Sequence, residues 1–410
     1  MWKSRALALA VFWAMAAGVS AAAQSSDIMA EWASVKSPAP PALVPVTVDP
    51  AKTALLVISF DKKVCSAADR VRCPAAVPKV KALLDQARAH HMLVVHSYTK
   101  AQMTAGMAPE LTPLPDEPVV QAAADKFLNS GLDKMLRDKG VSTVILTGTA
   151  GNGAVLFTAV GGATLGFDLI VPVDTMPADS AYHEQFAIVE MADIGFLHAR
   201  TKLTRSDLIA FPGEPARAAG PIAPSGIMQE WAGTRPPAAP KLSPVAVDSA
   251  KTALLVMDFN KNSCTPADRA RCAAAVPNVK KLLDAARAKH MLVVQVITPN
   301  MKPSDVVEAL APAPGEPVLQ VQGDKFYRSD LEKMLKDKGI TTVIATGTAG
   351  NGAVLLTTIG GVSRGFNVVV PIDTMPAATA YHEQFAIFEI ADVNFLHAHS
   401  TLTKSDMITF

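Results

Sequence analysis

The sequence predicts an α/β protein: a three-layer α/β/α sandwich around a mainly parallel sheet, present twice in tandem. Three observations carry this. Short apolar runs occur without alternation, as in strands buried on both faces. Amphipathic helical stretches separate them, as in βαβ units. The whole pattern then returns at a fixed offset. Trp32 matches Trp231, Cys65 matches Cys264, Lys126 matches Lys325 and Phe211 matches Phe410, each 199 residues apart, with no gap from Ser26 to Phe211. A repeat of this length is a duplicated domain rather than a solenoid unit.

The elements of the first copy follow in order. Thr53–Phe60 (TALLVISF) reads as a central strand. Pro78–His90 has helical spacing, with Val80, Leu83, Leu84 and Ala87 on one side. Met92–Ser97 is a second buried strand, and the Pro- and Met-rich stretch from Thr99 to Val120 reads as a loop. Ser130–Lys139 is a helix stopped by Gly140. Ser142–Thr147 is a strand, Asn152–Leu165 a helix, Phe167–Val173 a strand and Ala181–Ala192 a last helix. This Rossmann-like order directs attention to residues just after strands, where such sheets bind ligands. The expected units are 26–211 and 225–410, joined by a Pro/Gly/Ala-rich linker at 212–224.

Composition limits the function. The chain has 410 residues, 50% hydrophobic and 18% charged, enough for more than one core. A net charge of +1 gives no electrostatic case for nucleic acid or an anionic membrane. Lys3 and Arg5, the apolar run Ala6–Val19 and Ala21-Ala22-Ala23 form a secretory signal pattern, with 1–23 expected to be removed. The run is short for a bilayer span, which needs about 20 residues. A periplasmic or secreted protein with no membrane attachment after cleavage is expected. Cys65 and Cys73, like Cys264 and Cys272, lie eight apart. In an exported chain this repeated even spacing argues for two disulfides. The rival reading makes Cys65 or Cys264 a nucleophile.

Several motifs together resemble isochorismatase-like hydrolases, a family that includes nicotinamidases and other cysteine amidohydrolases. They are the turn TGTAGNGA (Thr147–Ala154; Thr346–Ala353), LLVMDFN at Leu254–Asn260, PGEPV at Pro314–Val318, FYRSDLEKML at Phe326–Leu335, and VPIDTM at Val370–Met375 before a His-bearing helix. The resemblance implies an acid, a lysine and a nucleophilic cysteine at strand ends. The acid position is Asp258 in the second copy and Ser59 in the first, where Asp61 stands two residues further on. The cysteine position is Ala154 and Ala353, which cannot attack a carbonyl. The family's lysine falls on Gln320 or Val321 by motif alignment, and on Gln121 in the first copy. Lys126 and Lys325, further along the same loop, are the candidate replacements, the alternative being surface lysines paired with Asp125 or Asp324.

Family members with a small residue at the nucleophile position hydrolyse a vinyl ether, using the Asp as acid and water as nucleophile. The resemblance therefore implies a small-molecule hydrolase using Asp258 and Lys325, with Asp61 and Lys126 as weaker counterparts. The alternative is a non-catalytic binding module. The turns Gly151, Asn152, Gly153, Ala154 and Gly350, Asn351, Gly352, Ala353 are candidate substrate contacts, although their glycines also suit tight packing and the asparagines suit helix caps. Tyr182-His183-Glu184 and Tyr381-His382-Glu383 open the last helices and read as caps rather than proton shuttles. No cofactor is expected, and no His/Asp/Glu cluster suggests a metal. The two repeats are expected to pack as an internal pseudo-dimer.

Overall fold

The computed structural model describes residues 27–214 and 226–410. The expected export segment and most of the linker at 212–224 lie outside them. In the first copy, the strands are β1 (Thr53–Ile58), β2 (Leu93–Tyr98), β3 (Val119–Gln121), β4 (Thr143–Gly148), β5 (Asp168–Pro172) and β6 (Thr201–Thr204). The principal helices are α1 (Cys73–Ala89), α2 (Leu132–Asp138), α3 (Leu156–Thr164) and α4 (Ala181–Asp193). In the second copy, β7 (Thr252–Met257), β8 (Leu292–Ile297), β9 (Val318–Gln320), β10 (Thr342–Gly347), β11 (Asn367–Pro371) and β12 (Ser400–Thr403) repeat the strands. There α5 (Ala270–Ala288), α6 (Leu331–Asp337), α7 (Leu355–Ser363) and α8 (Ala380–Asp392) repeat the helices.

Each copy has one six-stranded sheet, ordered β3-β2-β1-β4-β5-β6 or β9-β8-β7-β10-β11-β12, and all its pairings are parallel. The strand order reverses direction between β1 and β4, and between β7 and β10. Every residue of β1 is buried, because helices cover both faces. Its side chains alternate, as a strand's must. Leu55 and Val57 join a local core with Val80, Leu83 and Leu84 of α1. Ala54, Leu56 and Ile58 face the other way, into a cluster that continues through α3 and α4 into the second copy.

The two copies therefore share an apolar layer. Phe186 of α4 stacks on Phe385 of α8. The Tyr182 hydroxyl donates to Gln384 Oε1 at 3.1 Å, and Tyr381 repeats this contact to Gln185. The arms preceding the sheets cross over. Trp32 Nε1 donates to Pro237 O and Trp231 Nε1 to Pro38 O, both at 2.8 Å. Glu31 pairs with Arg271 in the second copy, and Glu230 with Arg72 in the first.

Several expectations need correction. Helix α1 starts at Cys73, with Pro74 in its first turn, where few N–H groups have intrahelical partners, and it runs on through Pro78. The stretch from Thr99 to Val120 is not all loop. Thr99 and Gln102 form a capping box that opens a short helix, Lys100–Ala105, and β3 begins at Val119. The edge strands β6 and β12 add a sixth member to each sheet.

Candidate active site

The carboxyl ends of β7 and β10 lie side by side where the strand order reverses, the place where open α/β sheets leave a crevice. Asp258 follows β7 directly. Its φ of 58° is left-handed, a costly conformation for a residue with a β-carbon, and residues so held cluster at functional sites. The turn brings the carboxylate to Lys325, whose Nζ donates to Asp258 Oδ2 at 2.6 Å and to Val321 O at 2.8 Å. Lys325 is fully buried, and its backbone N–H donates to Thr357 Oγ1 of α7. Asp258 Oδ1 makes no hydrogen bond of ordinary length. Burial raises the Asp258 pKa above the ordinary carboxylate value, while the Lys325 charge and hydrogen bond and the Thr298 amide oppose the rise. Gln320 is directed elsewhere, donating to Met301 O.

Beside this pair lies a cavity of about 640 Å³, lined by Asp258, Asn260, Arg269, Gly352, Ala353 and His382 among others. Asp193, Ile194, Gly195 and Phe196 of the first copy complete its wall, so it is composite. Ala353 puts a methyl group on its lining.

The glycine turn has divided roles. A β-carbon at Gly350 would collide with the Met375 carbonyl oxygen, and one at Gly151 with that of Met176. These glycines serve turn-to-strand packing, and Gly350 does not line the cavity. Gly352 does, and a β-carbon there would meet nothing closer than 4.0 Å. The asparagines are not helix caps. Asn351 Nδ2 donates to Glu190 of the first copy at 2.8 Å, and Asn152 Nδ2 to Glu389 of the second at 2.9 and 3.1 Å. The turn preceding α3 or α7 is a π-turn whose N-cap is an alanine, so each asparagine is free to reach across the shared layer. Glu389 is pushed up to about 8 and Glu190 well above its ordinary value, both by burial.

The histidines stand in the first turn of α4 and α8 but are not the caps. Ser180 and Thr379 cap α4 and α8, and their hydroxyls meet His183 Nδ1 and His382 Nδ1 at 2.8 Å. The other ring nitrogens reach Asp392 and Asp193 of the opposite copy. Glu184 and Glu383 hold Arg72 and Arg271.

In the first copy the corresponding ion pair is missing. Ser59 takes the left-handed turn (φ 61°). Asp61 lies beyond that turn, because β1 ends at Ile58. Its Oδ1 instead accepts the backbone N–H groups of Lys63 and Val64. Among the described residues Lys126 forms no salt bridge, and its Nζ donates to Ala123 O at 2.8 Å. Both lysines are fully buried, which corrects the surface alternative. Burial lowers Lys126 to about 8, with Asp125 opposing. Disulfides Cys65–Cys73 and Cys264–Cys272 are formed, so none of the four cysteines is a free thiol.

Fold and cavity define a class: parallel α/β domains with a crevice at the carboxyl ends of their strands. The chain belongs to the isochorismatase family, since the Isochorismatase domain matches residues 53–201 and again 252–401. The "Secreted isochorismatase effector Isc1" of Verticillium dahliae is 28% identical over 137 residues, spanning 29% of this chain and 72% of that protein. An isochorismatase family protein from Desulfovibrio vulgaris has a solved structure with TM-score 0.35 and 21% identity, covering 38% of this chain and 95% of that one. A cysteine hydrolase from Pseudomonas syringae pv. phaseolicola has TM-score 0.37 and 19% identity, covering 41% and 94%.

Proposed function

We propose that the second copy is a small-molecule hydrolase in which Asp258 is the acid/base, Lys325 holds and tunes it, and water attacks directly. The observation that carries this reading is the 2.6 Å contact between Lys325 and Asp258 at the strand switch point, beside a cavity. A carboxyl whose pKa is raised by burial is suited to giving and retaking a proton. A covalent acyl intermediate has no nucleophile here, because Ala353 replaces the cysteine and the thiols are paired. Gly352 and Ala353 are the parts of the turn proposed to contact substrate. The first copy, with Asp61 and Lys126 apart, is proposed to be inactive and to serve as the other half of an internal pseudo-dimer. The units are taken as 26–211 and 225–410.

The test is hydrolysis of enol ethers of the isochorismate kind, with loss of turnover in Asp258→Asn. Intact-mass spectrometry after incubation with nicotinamide should show no acyl adduct. The second reading, a non-catalytic binding module, is favoured by the two alanines at the nucleophile position. Saturable binding of a small ligand, with no turnover of any enol ether or amide, would establish it.

A periplasmic or secreted location is proposed from the two disulfides, the N-terminal signal pattern and the secreted relative. Among the described residues no helix is long and apolar enough to cross a membrane.

A further inference from the structure

The disulfide loop of each copy carries an arginine to the strand-end surface, and the two arginines meet different surroundings. In the first copy, Arg70 is neutralised by Asp179. Its Nε donates to Asp179 Oδ1 at 2.7 Å and one terminal nitrogen donates to Oδ2 at 3.2 Å, a two-pronged grip on a carboxylate. The other terminal nitrogen donates to Thr149 Oγ1 at 2.6 Å. In the second copy, Arg269 occupies the equivalent position. The residue corresponding to Asp179 is Ala378, so the carboxylate is deleted while the arginine stays. Among the described residues Arg269 forms no salt bridge, and its only side-chain hydrogen bond is a long one, 3.4 Å to Thr348 Oγ1. Arg269, Thr348 and Ala378 all line the composite cavity that contains Asp258.

A guanidinium presents a planar fork that matches a carboxylate, and an unpaired fork on a cavity wall is a ready recognition group. Its backbone is fixed. Arg269 is the N-cap residue of α5, between the bonded cysteines Cys264 and Cys272. We propose that Arg269 binds a carboxylate of the substrate, in the place that the Asp179 carboxylate takes against Arg70 in the first copy. The substrate class is then a small organic acid, anchored at Arg269 and presented to Asp258. The assignment of a reaction to it rests on the hydrolytic reading above, while the anion subsite itself does not.

The probe is acetate, which is the missing carboxymethyl side chain as a free molecule, together with benzoate, which also fills apolar cavity wall. Titration calorimetry or ligand-observed NMR on the full chain should give saturable binding of at least one of these, weakened about tenfold or more in Arg269→Gln. Ala378→Asp keeps the arginine and restores the first copy's own pairing, so it should fold normally and block the probe equally. Undiminished binding in either variant, or no saturable binding of either acid to the unaltered protein, would overturn the proposal. Tighter binding of inorganic phosphate than of both acids would overturn the carboxylate assignment. Because no turnover is read, carboxylate binding without hydrolysis of any substrate would sink the hydrolytic reading alone.

Discussion

The two copies keep the same sheet order and differ in charge at corresponding strand-end places. The first has Ser59 where the second has Asp258, and Asp179 where the second has Ala378. These changes move carboxylates in opposite directions. In the first copy a buried lysine lacks its acid and a surface arginine is neutralised. In the second the lysine is paired and the arginine is left open. A fold of this kind can gain or lose a working site without any change in its sheet. On the proposed reading, the charges at the strand ends decide which copy can act on a ligand.

The largest expected effect breaks that comparison directly. Asp258→Asn should lower hydrolysis about 100-fold or more, the scale of losing a general acid, while Ser59→Ala should leave it unchanged. Equal losses in steady-state kinetics would mean that the copies share one centre.

The lysines should then respond with opposite signs in thermal unfolding. Lys325→Met leaves Asp258 buried without its partner and should destabilise by about 3 kcal/mol. Lys126→Met removes a buried ammonium that forms no salt bridge among the described residues and should stabilise by about 1–3 kcal/mol at pH 7. The sign for Lys126 follows from its pKa being lower in the folded state. Below about pH 8 folding must bury the charge, and that penalty fades as pH rises from about 8 towards the unfolded value near ~10.4. Destabilisation by both methionines would show that the two lysines are equivalent.

Loss of either disulfide should cost about 2–3 kcal/mol by chain entropy, in both copies alike. Only Cys264→Ser with Cys272→Ser should also weaken ligand binding, because it frees the loop behind Arg269. A thiol reagent applied to the unreduced, denatured protein should label no cysteine.

The smallest expected effect is on pH dependence. Glu389 and Glu190 are raised by burial, so both hold protons in the folded state that the unfolded chain releases above about pH 4.3. Their contribution to stability is full below that value and is lost as pH rises through about 8 for Glu389. Glu389→Gln should flatten the fall in melting temperature between pH 5 and 8, because the amide imitates the protonated acid. An unchanged slope would assign the fall to other groups, such as Asp125 and Asp324, which burial raises to about 7 and 6.

The central strands and long helices were legible because their apolar residues follow a period or a continuous run. Edge strands were not. TKLT at Thr201–Thr204 offers one apolar residue to the core, and VVQ at Val119–Gln121 is too short to stand out from a proline-rich loop. The Asp258–Lys325 pair was legible only as two candidates, since loop path, not spacing, decides where an ammonium in DKF arrives. The roles of Asn152 and Asn351 were not legible at all, because their partners lie 237 and 161 residues away in the opposite copy. Arg269 has a signal of its own in the sequence. Comparing the copies at the offset of 199 shows a conserved arginine and a deleted aspartate, and such unmatched charges mark candidate sites.

The crossed arms and cross-copy hydrogen bonds join two similarly folded halves within one polypeptide. In an ordinary twofold homodimer every substitution is made twice, so Ser59 and Asp258 could not coexist, nor could Asp179 and Ala378. Fusion lifts that constraint. One half can accept changes that would abolish a reaction, provided it still supplies its wall of the neighbouring cavity and its share of the common apolar layer. On the proposed reading the first copy can change at its strand ends but not at Asp193, Phe196 and Glu190, which meet the other half. If the proposed function holds, selection on such a chain falls unevenly: in one half it acts on chemistry, in the other on shape.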